Sequence, residues 1–230
     1  NALTHDLEVT SNNLANATTT GFRADTVAFR AVPMQTDAAG TRVFVVETST
    51  GSNLAPGPMF RTDNELDIAV QGEGWITVQA PDGSEAYTRN GALVVTADGT
   101  LATAAGAPVM GGGGPISIPP DSQIALGTDG TVSVRTPGQT VVNSVGRIKL
   151  VNPPAEAMVK GPDGLFRSRE GEADADDNVR IASGTLEASN VNVVENMVSM
   201  IAAARQFEMQ MKMLNTAEQN EQKSNQLLGA

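Results

Sequence analysis

The most informative absences in this 230-residue chain concern reactive and metal-binding side chains. It contains no Cys and a single His, His5. Without Cys there is no disulfide framework, no thiolate zinc or iron–sulfur site and no Cys nucleophile. With one His, any metal site would have to be built mostly from oxygen ligands. The sequence therefore predicts no catalytic, metal-binding or cofactor-binding residues.

Aromatic residues and positive charge are also scarce. One Trp, one Tyr and six Phe leave few platforms on which bases or sugars could stack. Fifteen Lys and Arg against 26 Asp and Glu give a net charge of −11, whereas nucleic-acid binding draws its affinity from cations that neutralise phosphates. No segment approaches the ~20 apolar residues of a membrane-spanning helix. We expect no nucleic-acid partner and no small-molecule substrate.

Three local patterns resemble catalytic or binding motifs and do not complete them. His5 has no second His and is expected to be a solvent-facing helix residue. The acidic run from Glu170 to Asp177 lacks the Gly and the terminal Glu of a calcium-binding EF-hand loop, so it is expected to be a solvated loop. The glycines of 111–114 fit no phosphate-binding motif and predict a turn between strands. The sequence does not indicate an enzyme.

Gly and Pro divide the chain into three parts. All 12 Pro lie between Pro33 and Pro162, and after Gly184 the only Gly is Gly229. Because both residues break helices, the ends are free to be helical and the middle is not. We predict an α+β protein in which a coiled-coil-like helical domain is formed by residues 1–21 and 186–230. Residues 22–65 would form an extended connector that can carry a β-hairpin, and residues 66–185 an all-β domain.

Both terminal segments have a heptad-like apolar pattern. In the first, Leu3, Leu7, Thr10 and Leu14 are spaced by four, three and four residues, and the helix is expected to stop at Gly21. In the last, a capping box of Asn192 and Glu195 opens a helix predicted to run to Leu228. Its apolar positions, with those of the first helix, make up the predicted assembly interface: Leu3, Leu7, Leu14, Val193, Val194, Met197, Val198, Met200, Ile201, Ala204, Phe207, Met211 and Leu214.

The last helix is too apolar for a single partner. Five of the nine Met lie between Met197 and Met213, and Met209 and Met213 fall outside the narrow apolar stripe. A helix that is apolar on more than one face is packed by more than one neighbour. Burying one stripe does not offset the backbone entropy of so long a helix, about 1–2 kcal/mol per residue. We therefore expect both terminal helices to be disordered in the monomer and to fold on assembly.

The middle of the chain is punctuated by hairpin-type turns. Asp–Gly occurs at positions 82–83, 98–99, 129–130 and 163–164, and Asn–Gly at 90–91. Such pairs accept the positive φ of tight hairpins. The flanking segments that read as strands are Arg42–Glu47, Leu66–Val70, Trp75–Gln79, Thr131–Arg135 and Val141–Val151.

Motifs at both ends and in the centre resemble those of the axial proteins of the bacterial flagellum, the rod and hook family. They are Ser11–Asn16 with Thr20–Arg23, Leu66–Trp75, Tyr87–Gly91, Asp98–Leu101, Gly106–Val109 and Leu186–Asn192, in the order found in that family. The positions that carry the resemblance are Asn13, Leu14, Ala15, Asn16, Gly21, Phe22, Gly72, Gly74, Trp75, Tyr87, Thr88, Arg89, Asn90, Gly91, Ser189, Asn190, Val191 and Asn192.

The resemblance implies a structural subunit of the basal-body rod, which spans the periplasm and transmits torque from motor to hook. Family members are exported by the flagellar type III apparatus without a cleaved signal, and polymerise with copies of themselves and with neighbouring rod proteins. Their terminal helices line an inner tube and the β-domain faces outward. The segment from Met197 to Gln210 is most similar to proximal rod proteins. A distal rod protein and a secreted β-rich adhesin with a C-terminal coiled coil remain as alternatives.

Overall fold

The computed structural model describes the backbone of residues 2–33, 43–136 and 141–228, and the side chains of 4–27, 51–136, 141–213 and 215–220. The protein is mixed α+β with mostly β content, as predicted. The chain divides into two compact units. The first, which we call the helical unit, comprises residues 1–15, 25–50 and 192–230. The second, the β-unit, comprises residues 16–24 and 51–191.

The helical unit contains two helices of very different length. The helix α1 spans Ala2–Ala15 and the helix α2 spans Val193–Leu228, and within the unit the two lie against each other. The strands β1, Asp25–Pro33, and β2, Val43–Ser52, pair in a two-stranded sheet. Neither helix is long and apolar enough to cross a bilayer over the residues that the structure describes.

The sequence predicts the start of α2 correctly and the end of α1 incorrectly. The oxygen of the Asn192 side chain accepts a hydrogen bond from the backbone N–H of Glu195 at 3.3 Å, so the predicted N-cap of α2 is confirmed. The prediction that the first helix continues to Gly21 is wrong. It ends at Ala15, and turns follow as far as Gly21, which has a φ of 68° and donates its N–H to the backbone oxygen of Glu187.

The β-unit is built from sixteen short strands in the described residues. They are β3 Met59–Arg61, β4 Ile68–Gln71, β5 Trp75–Gln79, β6 Glu85–Thr88, β7 Leu93–Val95, β8 Leu101–Thr103, β9 Met110–Gly111, β10 Gly114–Pro115, β11 Gln123–Leu126, β12 Thr131–Arg135, β13 Asn143–Arg147, β14 Leu150–Val151, β15 Met158–Lys160, β16 Phe166–Ser168, β17 Arg180–Ser183 and β18 Thr185–Glu187. A single 3₁₀ turn at Ala155–Ala157 interrupts them.

These strands form one larger sheet and several small ones. The largest has the order β14-β5-β6-β16-β15, and a second has the order β11-β12-β13. The remaining strands pair two by two, β9 with β10, β17 with β4, β18 with β3 and β7 with β8. Since β17 and β18 return from late in the chain to pair with β4 and β3, the segment that precedes α2 is part of the β-unit.

Four of the five predicted hairpin turns are confirmed. Gly83, Gly99, Gly130 and Gly164 all have positive φ, and their turns join β5 to β6, β7 to β8, β11 to β12 and β15 to β16. The fifth, at Asn90–Gly91, is wrong. It joins strands of two different sheets, and a Cβ at Gly91 would collide with the backbone oxygen of Ile68.

Two predicted strands are also revised. The single strand predicted for Val141–Val151 is two strands, β13 and β14, which belong to different sheets. The β4 strand is shifted to Ile68–Gln71 from the predicted Leu66–Val70. Part of the predicted strand Arg42–Glu47 falls in β2, and Arg42 lies outside the described residues. Chain direction across sheets depends on distant partners, which a local pattern does not encode.

Between the sheets lies one large apolar core and a smaller aromatic one. The large core is made of aliphatic side chains from β4, β5, β8, β12, β14 and β17, including Ile68, Ile76 and Ile181, which are fully buried. The smaller one contains Trp75, Tyr87, Val151 and Phe166. The rings of Trp75 and Phe166 are 4.6 Å apart. The aromatic core shares Trp75 with the charged cluster described below.

Candidate assembly interface

The helix α2 buries very little of itself in the single chain. Of its described side chains only Ala203 is buried, while Asn196 and Met200, on the same side of the helix, are half-buried. Because α1 is the element that lies against α2, this side is the one covered by α1. We call it the covered side.

A second apolar face lies on the opposite side of α2. At about 100° per residue, Val194, Val198, Ile201 and Met209 all project away from Ala203. Their exposed fractions run from 55% to 70%. We call these four residues the second face. A stripe of large apolar side chains with no neighbour in the chain is typical of a surface that another subunit covers.

The residues of the predicted interface on α2 are distributed around the helix, from the covered side to the second face. Met200 is half-buried on the covered side, and the other described ones are exposed: Val193, Val194, Met197, Val198, Ile201, Ala204, Phe207 and Met211. The side chain of Leu214 lies outside the described residues. The sequence pattern did not select Ala203; it placed the stripe at the neighbouring Ala204, which is exposed. The interface itself stays a prediction.

On α1 the described positions of the predicted interface are more buried. Leu7 and Leu14 are half-buried, and Thr10 is buried together with Val9 and Asn13. The side chain of Leu3 lies outside the described residues. His5, expected to face solvent, is half-buried, with its Nδ1 atom 3.3 Å from a carboxylate oxygen of Glu8. His5 therefore lies on a packed helix, where its role is structural.

Four motifs meet in a buried charged cluster in the β-unit. Arg23 Nη2 donates to Glu187 Oε1 at 2.6 Å, and Arg89 Nη1 donates to Glu187 Oε2 at 3.0 Å. The two guanidinium carbons lie 5.9 and 5.5 Å from the ring centre of Trp75, within cation–π range. We call Arg23, Arg89, Glu187 and Trp75 the ion cluster.

Glycines of the motifs allow the backbone to reach this cluster. The Gly57 N–H donates to Glu187 Oε1 at 2.8 Å, and Arg89 Nη2 donates to the Gly72 backbone oxygen at 2.7 Å. A Cβ at Gly21 would collide with the backbone of Arg89. Burial lowers the pKa of Arg89, and the charge of Glu187 opposes that shift. The guanidinium keeps its charge at any physiological pH.

Two motif asparagines form hydrogen bonds to the backbone where the chain passes from one unit to the other. Within the β-unit, the Asn190 side chain accepts from the Ala24 N–H at 2.7 Å and donates to the backbone oxygens of Asn53 and Ala55 at 2.8 Å each. Within the helical unit, Asn13 donates to the Asp25 backbone oxygen and accepts from its N–H. Asn fits such positions because its amide copies a backbone N–H and C=O.

The remaining motif residues lie around these contacts. Lys160 Nζ lies 3.9 Å from the ring centre of Phe22. Burial raises the pKa of Tyr87, whose hydroxyl donates to Glu85, to about 12. Hydroxyl or amide groups of three others accept from backbone N–H groups two residues on: Thr88, Asn90 and Ser189. Leu14 and Ala15 are the last residues of α1, and the others lie in turns or loops: Asn16, Gly74, Gly91, Val191 and Asn192.

Sequence reasoning missed Arg23 and Glu187 as functional positions. Both stand inside motifs that it quoted, yet neither belongs to the predicted site. The available signal was a charged residue among motif positions that are otherwise small or apolar. Which opposite charge each one meets depends on a separation of 164 residues, and the sequence pattern does not specify that pairing.

The acidic run forms no metal centre in the described part of the chain. Glu170, Glu172, Asp174, Asp176 and Asp177 line an open surface cavity of about 440 Å³. Across residues 2–33, 43–136 and 141–228, no group of three or more His, Cys, Asp and Glu is arranged to hold a metal ion. The glycines of 111–114 form a tight turn between β9 and β10, as predicted.

Three family models match the chain, in the order in which its motifs occur. Residues 1–23 match the model described as flagella basal body rod protein. Residues 69–134 match the flagellar hook protein FlgE/F/G D1 domain. Residues 182–227 match the flagellar basal body rod FlgEFG protein C-terminal model. Each of the three includes residues quoted above for the resemblance.

Curated relatives match over nearly the full chain. The flagellar basal-body rod protein FlgF of Salmonella typhimurium is 47% identical over 229 residues, 96% of this chain and 91% of the relative. That of Escherichia coli is 46% identical with the same coverage. The basal-body rod protein FlgG of Buchnera aphidicola is 34% identical over 246 residues, 96% of this chain and 94% of the relative. The chain therefore belongs to the flagellar basal-body rod protein family and is similar to its FlgF members.

Proposed function

We propose that this structural subunit of the flagellar rod occupies the proximal rod and polymerises through its terminal helices, as part of the shaft that transmits torque from motor to hook. Its partners would be copies of itself and neighbouring rod proteins, including the distal rod protein. The flagellar type III apparatus would export it before assembly in the periplasm.

The observation that carries this proposal is the second face of α2. One side of the helix is covered by α1, and four large apolar residues on the opposite side are more than half exposed. Burying each would contribute about 1.5–3 kcal/mol. A surface that docks onto a different surface of the next copy generates a helical filament when the rotation does not close, which is the geometry that a rod requires.

The short helix α1 supports an inner helical domain. At 14 residues it is near the length at which isolated helices are marginal in water, so it depends on packing against α2. We propose that the helices within residues 1–21 and 186–230 form a coiled-coil-like domain on the inside of the rod. Residues 22–65 would connect it to an outward-facing β-domain of residues 66–185.

Packing alone is sufficient for this role, and we propose that the protein is not an enzyme. It would work without a cofactor, a nucleic-acid partner or a small-molecule substrate. The charged residues that are most deeply buried, Arg23, Arg89 and Glu187, are occupied with one another, which is a structural use of charge.

The two alternatives from the sequence are less well supported. A distal rod position would agree with the FlgG relatives, but the identity to FlgF of Salmonella typhimurium is 47% against 34% to FlgG of Buchnera aphidicola. A secreted adhesin would explain a coiled coil after a β-rich domain. It would not explain matches to rod-protein models at both ends of the chain.

The test is Ile201→Asp, in the middle of the second face. Because Ile201 is 55% exposed, the substitution leaves the monomer's stability unchanged within about 0.5 kcal/mol. In the assembled rod it would bury an unpaired carboxylate, which is strongly unfavourable. We expect loss of rod incorporation and of motility when the variant replaces the native chain in cells. The same result is expected for Phe207→Asp.

The matched control is Gln206→Asp, which adds the same charge at an exposed polar position of α2. It should assemble normally, and all three variants should keep the thermal transition of the β-unit, followed by the fluorescence of Trp75. Normal rods built from both Ile201→Asp and Phe207→Asp chains would contradict assembly through α2.

A further inference from the structure

The ion cluster joins the two segments that connect the β-unit to the terminal helices. The segment of residues 16–24 follows α1, and that of 184–191 precedes α2. Glu187 pairs with Arg23 across 164 residues of sequence and with Arg89 across 98. The exposed fractions are 0% for Arg23, 1% for Glu187 and 3% for Arg89, so water does not compensate these charges.

Arg23 depends on the carboxylate of Glu187 more than Arg89 does. Arg89 has other acceptors, the backbone oxygens of Gly72 and Val70. Arg23 depends on the carboxylate, because its Nε and Nη1 atoms have no hydrogen-bond partner within the described structure. Burial of a guanidinium is tolerated only when it is paired. Residues 16–24 can therefore pack into the β-unit only when Glu187 is in place.

Backbone contacts link the same two segments directly. The Gly21 N–H donates to the Glu187 backbone oxygen at 2.8 Å, and the Asn190 N–H donates to the Phe22 backbone oxygen at 3.3 Å. The Asn190 side chain accepts from the Ala24 N–H. Each segment thus supplies hydrogen-bond partners that the other needs, and neither is satisfied alone.

We propose that Glu187 couples residues 16–24 and 184–191 into one cooperative element, which docks on the β-unit in a single step. Because Glu187 lies in the last segment of the β-unit, which ends at residue 191, this step waits until the rest of that unit is available. The benefit of this coupling to the protein rests on the proposed function. Both terminal helices would start from neighbouring anchor points, and only after residues 16–24 and 184–191 have docked.

The experiment is hydrogen exchange followed by mass spectrometry on the dilute full chain and its Glu187→Gln variant. The substituted amide would place an N–H group against Arg89 or Arg23. We expect amides of both segments, 16–24 and 184–191, to exchange about 100-fold faster, the factor that follows from breaking a buried ion pair. The β5–β6 hairpin should keep its native protection.

The matched control is Asp177→Asn, which removes the same charge from an exposed ion pair with Arg147 in the β-unit. It should leave exchange in both segments unchanged. The reciprocal variant Arg23→Gln should accelerate exchange in 184–191 as well as in its own segment, since the coupling acts in both directions.

Two results would overturn the coupling. One is faster exchange in 184–191 alone after Glu187→Gln, with 16–24 still protected. The other is loss of protection throughout the β-unit, including the β5–β6 hairpin, which would make Glu187 a general stability residue. Neither result bears on assembly through α2, which the Ile201→Asp variant tests separately.

Discussion

Single glycines decide whether the backbone can pass close to the ion cluster. Gly21 and Gly72 have nearly the same conformation, with φ of 68° and 75°. Their surroundings differ, because a Cβ at Gly21 would meet the backbone of Arg89, whereas a Cβ at Gly72 would meet nothing within 4 Å. The pair separates the cost of a left-handed conformation from the cost of a collision.

The prediction at this scale compares Gly21→Ala with Gly72→Ala. Both should lose about 1–2 kcal/mol from the left-handed strain. Gly21→Ala should lose about 1–3 kcal/mol more, since the Arg89 backbone must move. Urea unfolding followed by the fluorescence of Trp75, the only Trp, measures both. Equal losses in the two variants would show that the chain relaxes around residue 21 without cost.

Among the elements, α2 differs from the strands in how little it buries. Its 36 residues include one buried side chain in the described part, Ala203, whereas strands such as β5 are buried almost throughout. Helical stability in proteins comes mostly from packing of an apolar face. Packing of this one covered side offsets only a small part of the backbone entropy that is lost when so long a helix forms.

The prediction for α2 is that it is not stably folded in the isolated monomer. Amides of residues 193–213 should exchange with little protection, while those of the β-unit, which has an extensive core, should exchange slowly. Hydrogen exchange on dilute monomer and on polymer provides the comparison, and protection of α2 should appear only in the polymer. Strong protection of α2 in the monomer would rule out coupled folding and assembly.

For the whole molecule, the distribution of charge separates the helix that assembles from the rest. The net charge is −11, yet the segment Val193–Leu214 carries only Glu195, Arg205, Glu208 and Lys212, which sum to zero. A neutral, apolar helix can approach its copies without electrostatic repulsion. Most of the acidity resides in residues 22–192, which hold 12 Lys and Arg against 20 Asp and Glu.

The absence of native Cys allows a direct test of contacts between copies. A Met209→Cys chain carries a single thiol on the second face, where Met209 is 60% exposed. In cells that assemble rods from this chain, a short bifunctional thiol reagent should cross-link it to a neighbouring subunit. A single Cys at the exposed turn residue Asp82 is the control and should not cross-link. Equal cross-linking of both chains would contradict contacts through the second face.

Local features of the sequence predicted the local features of the fold. The four Asp–Gly hairpins follow from the freedom of these residues to adopt positive φ, and the start of α2 follows from the side chain of Asn192. The errors came where a distant segment decides. Asn90–Gly91 is not a hairpin because Ile68 crowds Gly91, and residues 141–151 divide between two sheets.

The candidate site was predicted unevenly for the same reason. Helical periodicity predicted that α2 has more than one apolar face, but it placed the stripe at Ala204, whereas the side that α1 covers is that of its neighbour Ala203. The predicted motif positions included Arg89 and Trp75, which belong to the ion cluster. They did not include Arg23 and Glu187, whose roles depend on the ion pair that the two side chains form with each other.

The sequence by itself determined the extent of α2, its apolar faces, most of the tight turns and membership of a family of rod proteins. These properties depend on residues within one or two turns of each other, or on motifs that can be compared directly. Only the tertiary structure decided which side of α2 is covered, where α1 ends and which charges meet in the ion cluster. Each of those depends on segments up to 164 residues apart, brought together by burial that no local pattern specifies.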